Sequence, residues 1–376
     1  MHCRQLSMVN FKNYREARLD FSSKFNCFTG NNGSGKTNLL DALHYMSLCK
    51  SFSNAVDSQN ILFGEDFFII QGQYSLNGQD DELYCGVKKN HRKVFKRNKK
   101  EFERLSDHIG SYPLVLLSPA DTQLILGGSE ERRRFLDGVI SQYNKEYLHR
   151  LISYNKALLQ RNTLLKQFAE RNRFDVSALE IWDDQLASNG IYVYKEREKF
   201  FKEFIGVFRQ YYQFLSGGNE QTDIEYLSHL HDNQDLHLLL AKHHHKDRKA
   251  QHTTVGIHKD DLSLLIHQWP AKKFGSQGQQ KSLIIALKLA QFAFTKTIKG
   301  YQPILLFDDI FDKLDEKRVQ QLMMMVSEED FGQVFVTDTH TDRIESLFKS
   351  IPSECKIFVV DNGQITSSHM LNGKNN

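Results

Sequence analysis

No run of 18 apolar residues occurs in this 376-residue chain, so a membrane-spanning helix is excluded by length alone. The opening residues, MHCRQLSMVNFKNYREA, contain no apolar core of the kind a secretory leader needs. Cysteine is scarce: Cys3, Cys27, Cys49, Cys85 and Cys355 are odd in number, widely spaced and form no C-x-x-C pair. That pattern gives neither a disulfide framework nor a zinc site, and a cytoplasmic location is expected. No internal repeat is visible, and apolar heptads are not sustained, so a long coiled-coil arm is not expected. An excess of one charge sign is also lacking. The net charge is +3, with 40% hydrophobic and 25% charged residues. Such a chain is globular, long enough for two domains or lobes, and its overall charge singles out no partner.

What is present begins with Gly30 to Thr37, GNNGSGKT, which fits G-x-x-x-x-G-K-[ST] at every fixed position. The spacing has a physical reason. Gly30, Gly33 and Gly35 let the backbone turn tightly and aim the N–H groups of Asn31, Asn32, Ser34 and their neighbours at phosphate oxygens. Lys36 can reach β- and γ-phosphates, and the Thr37 hydroxyl can ligate Mg²⁺. A helix from Asn38 to about Cys49 points its N-terminal dipole at the same anion. The β-prone run Phe25–Thr29 before the loop and Leu39, Leu40, Leu43 and Met46 after it supply the strand–loop–helix context. ATP is the expected ligand.

Further strands are expected at Leu6–Asn10, Phe67–Tyr74, Leu83–Lys88 and Leu114–Leu117. From Ser129, read as an N-cap, apolar residues recur at helical steps, with a break near Asn144. A second long helix is expected from Asp183 to Phe214, stopping at Ser216-Gly217-Gly218. His243–His245 reads as a polar loop, because a lone triplet lacks a fourth metal ligand. Residues 1–128 are therefore assigned to the first part of an α/β head, 129–245 to an inserted α-helical lobe and 246–376 to the rest of the head.

Ile304–Phe307 (ILLF) is a fully apolar run ending in Asp308-Asp309, the shape of a buried parallel strand presenting a carboxylate at its C-terminal end. Asp308 would hold Mg²⁺ through water, and Asp309 would orient or deprotonate the attacking water. By itself the pattern reads as an acidic turn; beside a P-loop it reads as a Walker B strand. Upstream, Phe274–Lys281 (FGSQGQQK) opens an amphipathic helix to about Lys296. Ser276, Gly278 and Gln279 make its start fit to meet a phosphate, either as an ordinary capped core helix or as half of a composite site completed by another subunit. Lys88–Lys100 holds eight Lys or Arg in thirteen residues. It is either a solvated hairpin rim or a polyanion-contacting patch in which Lys93, Lys96 and Arg97 meet a partner's phosphates; Arg132–Arg134 is a second, weaker run with a structural role as its alternative.

Walker A, S-Q-G-Q-Q-K, ILLFDD and Phe311-Asp312-Lys313-Leu314-Asp315 together resemble the ABC-type ATPase set of Walker A, signature, Walker B and D-loop. Within that class the chain resembles the RecF family of bacterial recombination-repair ATPases. Asn10–Tyr14 (NFKNY), Glu131–Asp137 (ERRRFLD), Tyr154–Leu158 (YNKAL), Gln160–Asn162 (QRN) and Gly256–Leu262 (GIHKDDL) carry the resemblance through nearly the whole chain. Ile257 and Lys259 depart from the family's usual Pro and Arg. Asp309 stands where most ABC ATPases have Glu, which implies slow turnover. His340 is the nearest candidate for a switch residue and Gln123 for a Q-loop. The resemblance implies a P-loop ABC-type head, a mixed sheet with flanking helices. It implies a weak, DNA-stimulated ATPase that dimerises with ATP and Mg²⁺ on DNA at single-strand gaps and double–single-strand junctions. It further implies help for RecO and RecR in loading RecA, and a role in replication and the SOS response. An SMC-like chromosome-organising ATPase is the alternative, but such proteins place a long heptad arm between the motifs. A transporter subunit fits poorly, since Lys36 and Ser276 are 240 residues apart (276 − 36) and no S-G-G-Q is present.

Overall fold

The structure, a computed structural model, describes residues 1–171, 174–218, 220–310 and 316–371. The chain divides into two compact units. Met1–Asp121 with Gln291–Asn376 make the first, and Thr122–Ala290 the second.

The first unit contains two six-stranded sheets. One is antiparallel and is built from β1 (His2–Phe11), β2 (Tyr14–Asp20), β4 (Phe67–Leu76), β5 (Gln79–Lys88), β6 (Val94–Arg97) and β7 (Lys100–Glu101), in the order β2-β1-β4-β5-β6-β7. Its strands alternate: along β4, Phe68, Ile70, Gly72 and Tyr74 are buried, whereas Phe67, Gln71 and Gln73 are exposed. One face thus lies on a core and the other faces out.

The other sheet takes β3 (Phe25–Thr29), β8 (Leu114–Leu117), β12 (Ile304–Phe307), β13 (Val334–Asp338), β14 (Cys355–Asp361) and β15 (Gln364–Leu371) in the order β15-β14-β3-β13-β12-β8. Its neighbours are parallel except at the β14–β15 hairpin. β3, β12 and β13 are buried at every position, and β12 (ILLF) accordingly reads as an unbroken apolar run. Phe21, Phe28, Phe335 and Phe358 form an aromatic cluster, with the Phe21 and Phe335 rings edge to face at 4.8 Å. Helix α1 (Lys36–Leu48) buries Leu39, Leu40, Leu43 and Met46 and closes on Cys49 in the left-handed region. Two further helices, α9 (Glu316–Ser327) and α10 (Thr341–Phe348), follow β12 and β13.

The second unit is mainly helical: α2 (Gln123–Leu126), α3 (Ser129–Ser141), α4 (Lys145–Glu170), α5 (Ser177–Ser216), α6 (Leu236–Ala250), α7 (Ala271–Phe274) and the first turns of α8 (Gln277–Lys299). A small sheet of β9 (Thr222–Leu227), β10 (Asp261–Ile266) and β11 (Trp269–Pro270) joins them. This unit contains the 129–245 span and adds Thr122–Gly128 and 246–290 to it. The break at Asn144 is an N-cap, its side chain accepting from the Tyr147 N–H at 2.9 Å. Ser129 is instead the first helical residue of α3, with Gly128 in the cap position. α5 starts earlier than its apolar spacing predicts and ends on left-handed Gly217, as expected. α4 and α5 pack along each other. His243–His245 do not form a loop. They lie within α6, where His244 Nε2 meets Asp183 (2.9 Å) and His243 Nδ1 meets Thr254 (3.1 Å). Among the described residues no helix is long and apolar enough to cross a membrane.

Several charged motifs of the sequence turn out to build this unit's interior. Arg161 is fully buried and donates to Asp183 (2.5 Å), Asp247 (2.7 Å) and Thr253 (2.9 Å). Arg197 donates to Asp260 (2.6 Å), Asp137 (2.7 Å) and the Ile257 carbonyl (3.0 Å). Arg132 grips Asp261 with two nitrogens, and Arg133 donates to the Asp260 carbonyl. Arg134 pairs with Glu130 and Glu131 on its own helix. Arg132 and Arg133 are thereby engaged within their own unit, which favours the structural reading for them, whereas Arg134 stays exposed on the surface of α3. Removing one partner of a buried pair leaves an uncompensated charge, so each such motif is intolerant of single changes.

His258 belongs to the same interior. Its Nε2 bonds the Thr253 carbonyl (3.0 Å) and its Nδ1 meets the Tyr154 hydroxyl (2.8 Å), an arrangement suited to the neutral ring. Burial lowers its pKa from 6.5 to about 4. The unfolded chain therefore takes up the proton first. The contribution to stability is complete above pH 6.5 and is lost as the pH falls towards 4. Unfolding free energies from urea titrations should fall further between pH 7 and 4.5 for the native chain than for His258→Gln, by on the order of 2 kcal/mol. Parallel curves would show that this ring does not carry the acid sensitivity.

Candidate functional site

β3 ends at Thr29 and releases the chain into the Gly30–Gly35 turn, from which α1 departs. Two glycines here are obligatory. Gly30 has φ 144°, and a Cβ on it would lie 2.1 Å from the Val360 carbonyl oxygen. Gly35 has φ 120°, and its Cβ would fall within 2.8 Å of Asn13 and Tyr14. The loop is braced from outside its own sequence. The Tyr14 hydroxyl donates to the Gly35 carbonyl (3.1 Å), and both Asn13 Nδ2 (3.1 Å) and the Gly363 N–H (2.8 Å) donate to the Ser34 carbonyl. Asn38 donates to Asn13 Oδ1 at 2.8 Å. Lys12 forms an ion pair with buried Asp41 of α1, tying the NFKNY turn to that helix.

Lys36 is buried and its ammonium donates to the carbonyls of Gly30 (2.7 Å) and Asn31 (2.9 Å). It is thus held over its own loop. Ser34 Oγ is buried without a hydrogen-bond partner. A glycine cradle, an orphaned hydroxyl and a lysine over the loop fit a polyphosphate.

The second half of the site arrives with β12. Thr37 Oγ1 donates to Asp308 Oδ1 at 2.9 Å, joining positions 271 residues apart. Thr337 Oγ1, at the end of β13, donates to the same oxygen at 2.9 Å and accepts the Asp309 N–H at 2.9 Å. Parallel pairing explains the convergence, because the C-terminal ends of β3, β13 and β12 lie side by side. Burial raises the Asp308 pKa, while the hydroxyls of Thr337 and Thr37 work the other way. Asp309 has φ 46°, a left-handed conformation that turns it away from the strand direction. A hydroxyl and a carboxylate are hard oxygen donors, the set that suits Mg²⁺ when phosphates and water complete its shell. Among the described residues no cluster of three or more His, Cys, Asp or Glu could hold a metal.

The remaining sequence candidates are placed as follows. Ser276 and Gln279 form a reciprocal cap at the start of α8: Gln279 N–H donates to Ser276 Oγ (3.2 Å) and Ser276 N–H to Gln279 Oε1 (2.8 Å). Ser276 is exposed, Gly278 half-buried, and Gln279 also donates to Glu220 at 2.9 Å. Leu283, Ile284, Ala286, Leu287, Leu289, Ala290 and Phe292 are buried as expected. Gln123 opens α2 in the second unit and is exposed. His340 caps α10, exposed, with its N–H on Asp338 (2.6 Å). The following Thr341 bonds Thr29 of β3 at 2.8 Å. Phe311–Asp315 lie outside the described residues.

Within the basic run, the structure corrects one assignment. Lys93 points inward, 11% exposed, paired with Asp57 (2.8 Å) and donating to the Cys49 carbonyl (2.6 Å). It is structural, not a phosphate contact. Lys96 lies on the outward face and Arg97 is exposed on the other side of β6.

A relative from Flavobacterium johnsoniae, "DNA replication and repair protein RecF", is 50% identical over 95% of this chain and 99% of its own length. The chain belongs to the RecF family. A RecF from Phocaeicola vulgatus is 49% identical over 97% of this chain and 98% of its own length. The family model described as AAA ATPase domain matches residues 1–291. Among solved structures, that of "the recombination mediator protein RecF-ATP in RecFOR pathway" aligns over 98% of this chain and 97% of its own. Its TM-score is 0.88 and its identity 29%. The Smc head from Pyrococcus furiosus, at 17% identity and TM-score 0.57 over 99% of this chain and 96% of that one, shows likeness of fold alone.

Thr337 and the Asn13–Tyr14 braces were not assigned a role from sequence. The only signal for Thr337 is a hydroxyl ending the strand after Walker B. Thr337→Val should cost about 1–3 kcal/mol in urea unfolding, because buried Asp308 loses a donor and the Asp309 N–H its acceptor. Thr337→Ser should stay near the native value. Equal losses in both variants would assign the effect to packing rather than to the hydroxyl.

Proposed function

We propose that this chain is an ATP-dependent DNA-binding switch of recombinational repair and replication. The observation that carries the reading is the Thr37–Asp308–Thr337 junction beneath a glycine cradle, in a chain of the RecF family. When bound, ATP supplies a phosphoanhydride that can be hydrolysed, and Mg²⁺ supplies the charge that neutralises its oxygens. The chain's own groups do the rest. Loop N–H groups from Asn31 to Asn38 hold phosphate oxygens, and Lys36 exchanges loop carbonyls for them. Thr37 and Asp308 would hold the metal. Asp309 orients a water, and its short carboxylate keeps hydrolysis slow, so nucleotide acts as a timer for release from DNA.

Dimerisation completes the reading. The exposed, self-capped start of α8, with Ser276, Gly278 and Gln279, is offered to the nucleotide of a second copy. DNA at single-strand gaps and double–single-strand junctions is the proposed polyanion. RecO, RecR and RecA are the proposed partners, with the SOS response downstream. The SMC-like alternative is favoured only by likeness of fold, which leaves repair and replication the stronger reading.

Three experiments test this. Lys36→Ala should weaken ATP binding by about 100-fold in titration calorimetry, since a charge-assisted contact to phosphate is lost. Asp309→Asn should bind ATP normally and hydrolyse it at least tenfold more slowly. Native affinity in the first and native turnover in the second would remove the assigned roles. Ser276→Arg should retain ATP binding yet fail to dimerise in sedimentation with ATP and gapped DNA. A normal ATP-induced dimer in that variant would exclude the composite site.

A further inference from the structure

The outward face of the antiparallel sheet carries a depression of about 570 Å³ that the nucleotide site does not use. Apolar Phe67, Ile69, Tyr84 and Val94 line it, and so do cationic Lys88, Arg92 and Lys96. A smaller recess of about 210 Å³ adjoins it, sharing Tyr84 and Lys96 and adding Gln71, Lys99 and the acidic Glu82. The sheet's register explains why these residues meet. Gln71 pairs with Tyr84 and Tyr84 with Lys96 across β4, β5 and β6, and Phe67 pairs with Lys88. Partners directly opposite share a face, so Tyr84 lies beside Lys96 and Phe67 beside Lys88, with the Ile69–Gly86–Val94 row between them. Tyr84 lies along the sheet over Gly86, where a Cβ would come within 2.8 Å of its hydroxyl. Lys96 Nζ sits 5.6 Å from the Tyr84 ring centroid. Phe67 is 38% exposed. Strand alternation thus sends Lys88 and Lys96 of the basic run to the aromatic face, while Lys93, just ahead of β6, joins an internal ion pair.

We propose that this face holds unpaired nucleotides of single-stranded DNA, with bases stacked on Tyr84 and Phe67 and phosphates on Lys88, Arg92 and Lys96. The proposal rests on the DNA-binding reading above and gives it a surface. Cations alone would suit any polyanion. Flat rings set between them select one with exposed π-faces, which a single strand offers and a closed duplex does not. An acidic peptide supplies the charge but nothing to stack.

The test is fluorescence anisotropy of labelled oligo-dT and of a blunt duplex with the full-length chain and ATP, across a salt series. Tyr84→Ala should weaken oligo-dT binding by about tenfold or more and leave the duplex within about twofold, while Tyr84→Phe keeps native affinity. Replacing Lys88 and Lys96 by Ala should flatten the log–log salt slope on oligo-dT by about 1.4, at roughly 0.7 per phosphate. Oligo-dT carrying 5-iododeoxyuridine should photocross-link to the peptide containing Tyr84, a readout independent of variant stability. Native affinity in Tyr84→Ala, with no cross-link there, overturns the proposal and leaves the DNA reading intact if the native chain still binds. Failure of the native chain to bind either DNA would instead remove the DNA reading itself. A poly-glutamate peptide that binds the native chain, loses affinity in Tyr84→Ala and displaces no DNA would overturn the proposal in favour of an acidic protein partner.

Discussion

Asp308 is the residue on which the arrangement of the first unit's candidate site depends. It is a carboxylate 6% exposed, and a buried carboxylate is costly unless it is met by donors. Two hydroxyls from distant segments meet the same oxygen: Thr37 from the start of α1 and Thr337 from the end of β13. Those bonds can form only if β3, β13 and β12 are parallel, adjacent and in register. The need to satisfy one charge therefore fixes where the phosphate loop stands relative to the acidic turn. Burial of all three strands, with Phe25, Phe28, Val334, Phe335, Val336 and the whole of ILLF in the core, makes that arrangement stable.

The loop itself is under a second constraint. Its backbone turns through conformations that only glycine tolerates, and its carbonyls need partners. Asn13, Tyr14 and Gly363 provide them from the first hairpin and the last one. Chain segments at opposite ends of the sequence so brace the same few residues. That arrangement holds the loop's N–H groups in place for an anion, which is the preorganisation that phosphate binding requires.

In the second unit, polar residues play a different part. Arg161, Arg197, Asp137, Asp183, Asp247 and Asp260 form buried, hydrogen-bonded pairs. On a sequence such charged motifs read as surface or site residues. Here their partners are 22 to 86 residues away, and only packing reveals that they satisfy one another. Taking away either member of such a pair would leave the other as an uncompensated buried charge, so the pairs tie these segments together.

The sequence alone determined the nucleotide half of this protein. GNNGSGKT, ILLFDD and the apolar periodicity of α1 and α8 are local patterns, and local backbone geometry reads them directly. The helix break at Asn144 and the stop at Gly217 were legible for the same reason. What only the tertiary structure decided depends on which face a side chain takes. His243–His245 joined a helix because Asp183 and Thr254 awaited two of them. Lys93 left the basic run for Asp57, while Lys96 three residues on stayed outside beside Tyr84. Thr337 became part of the site because strand order placed it next to Asp308. Charge and spacing name the residues that can act, and long-range pairing chooses among them, since a buried charge is stable only where a distant partner meets it.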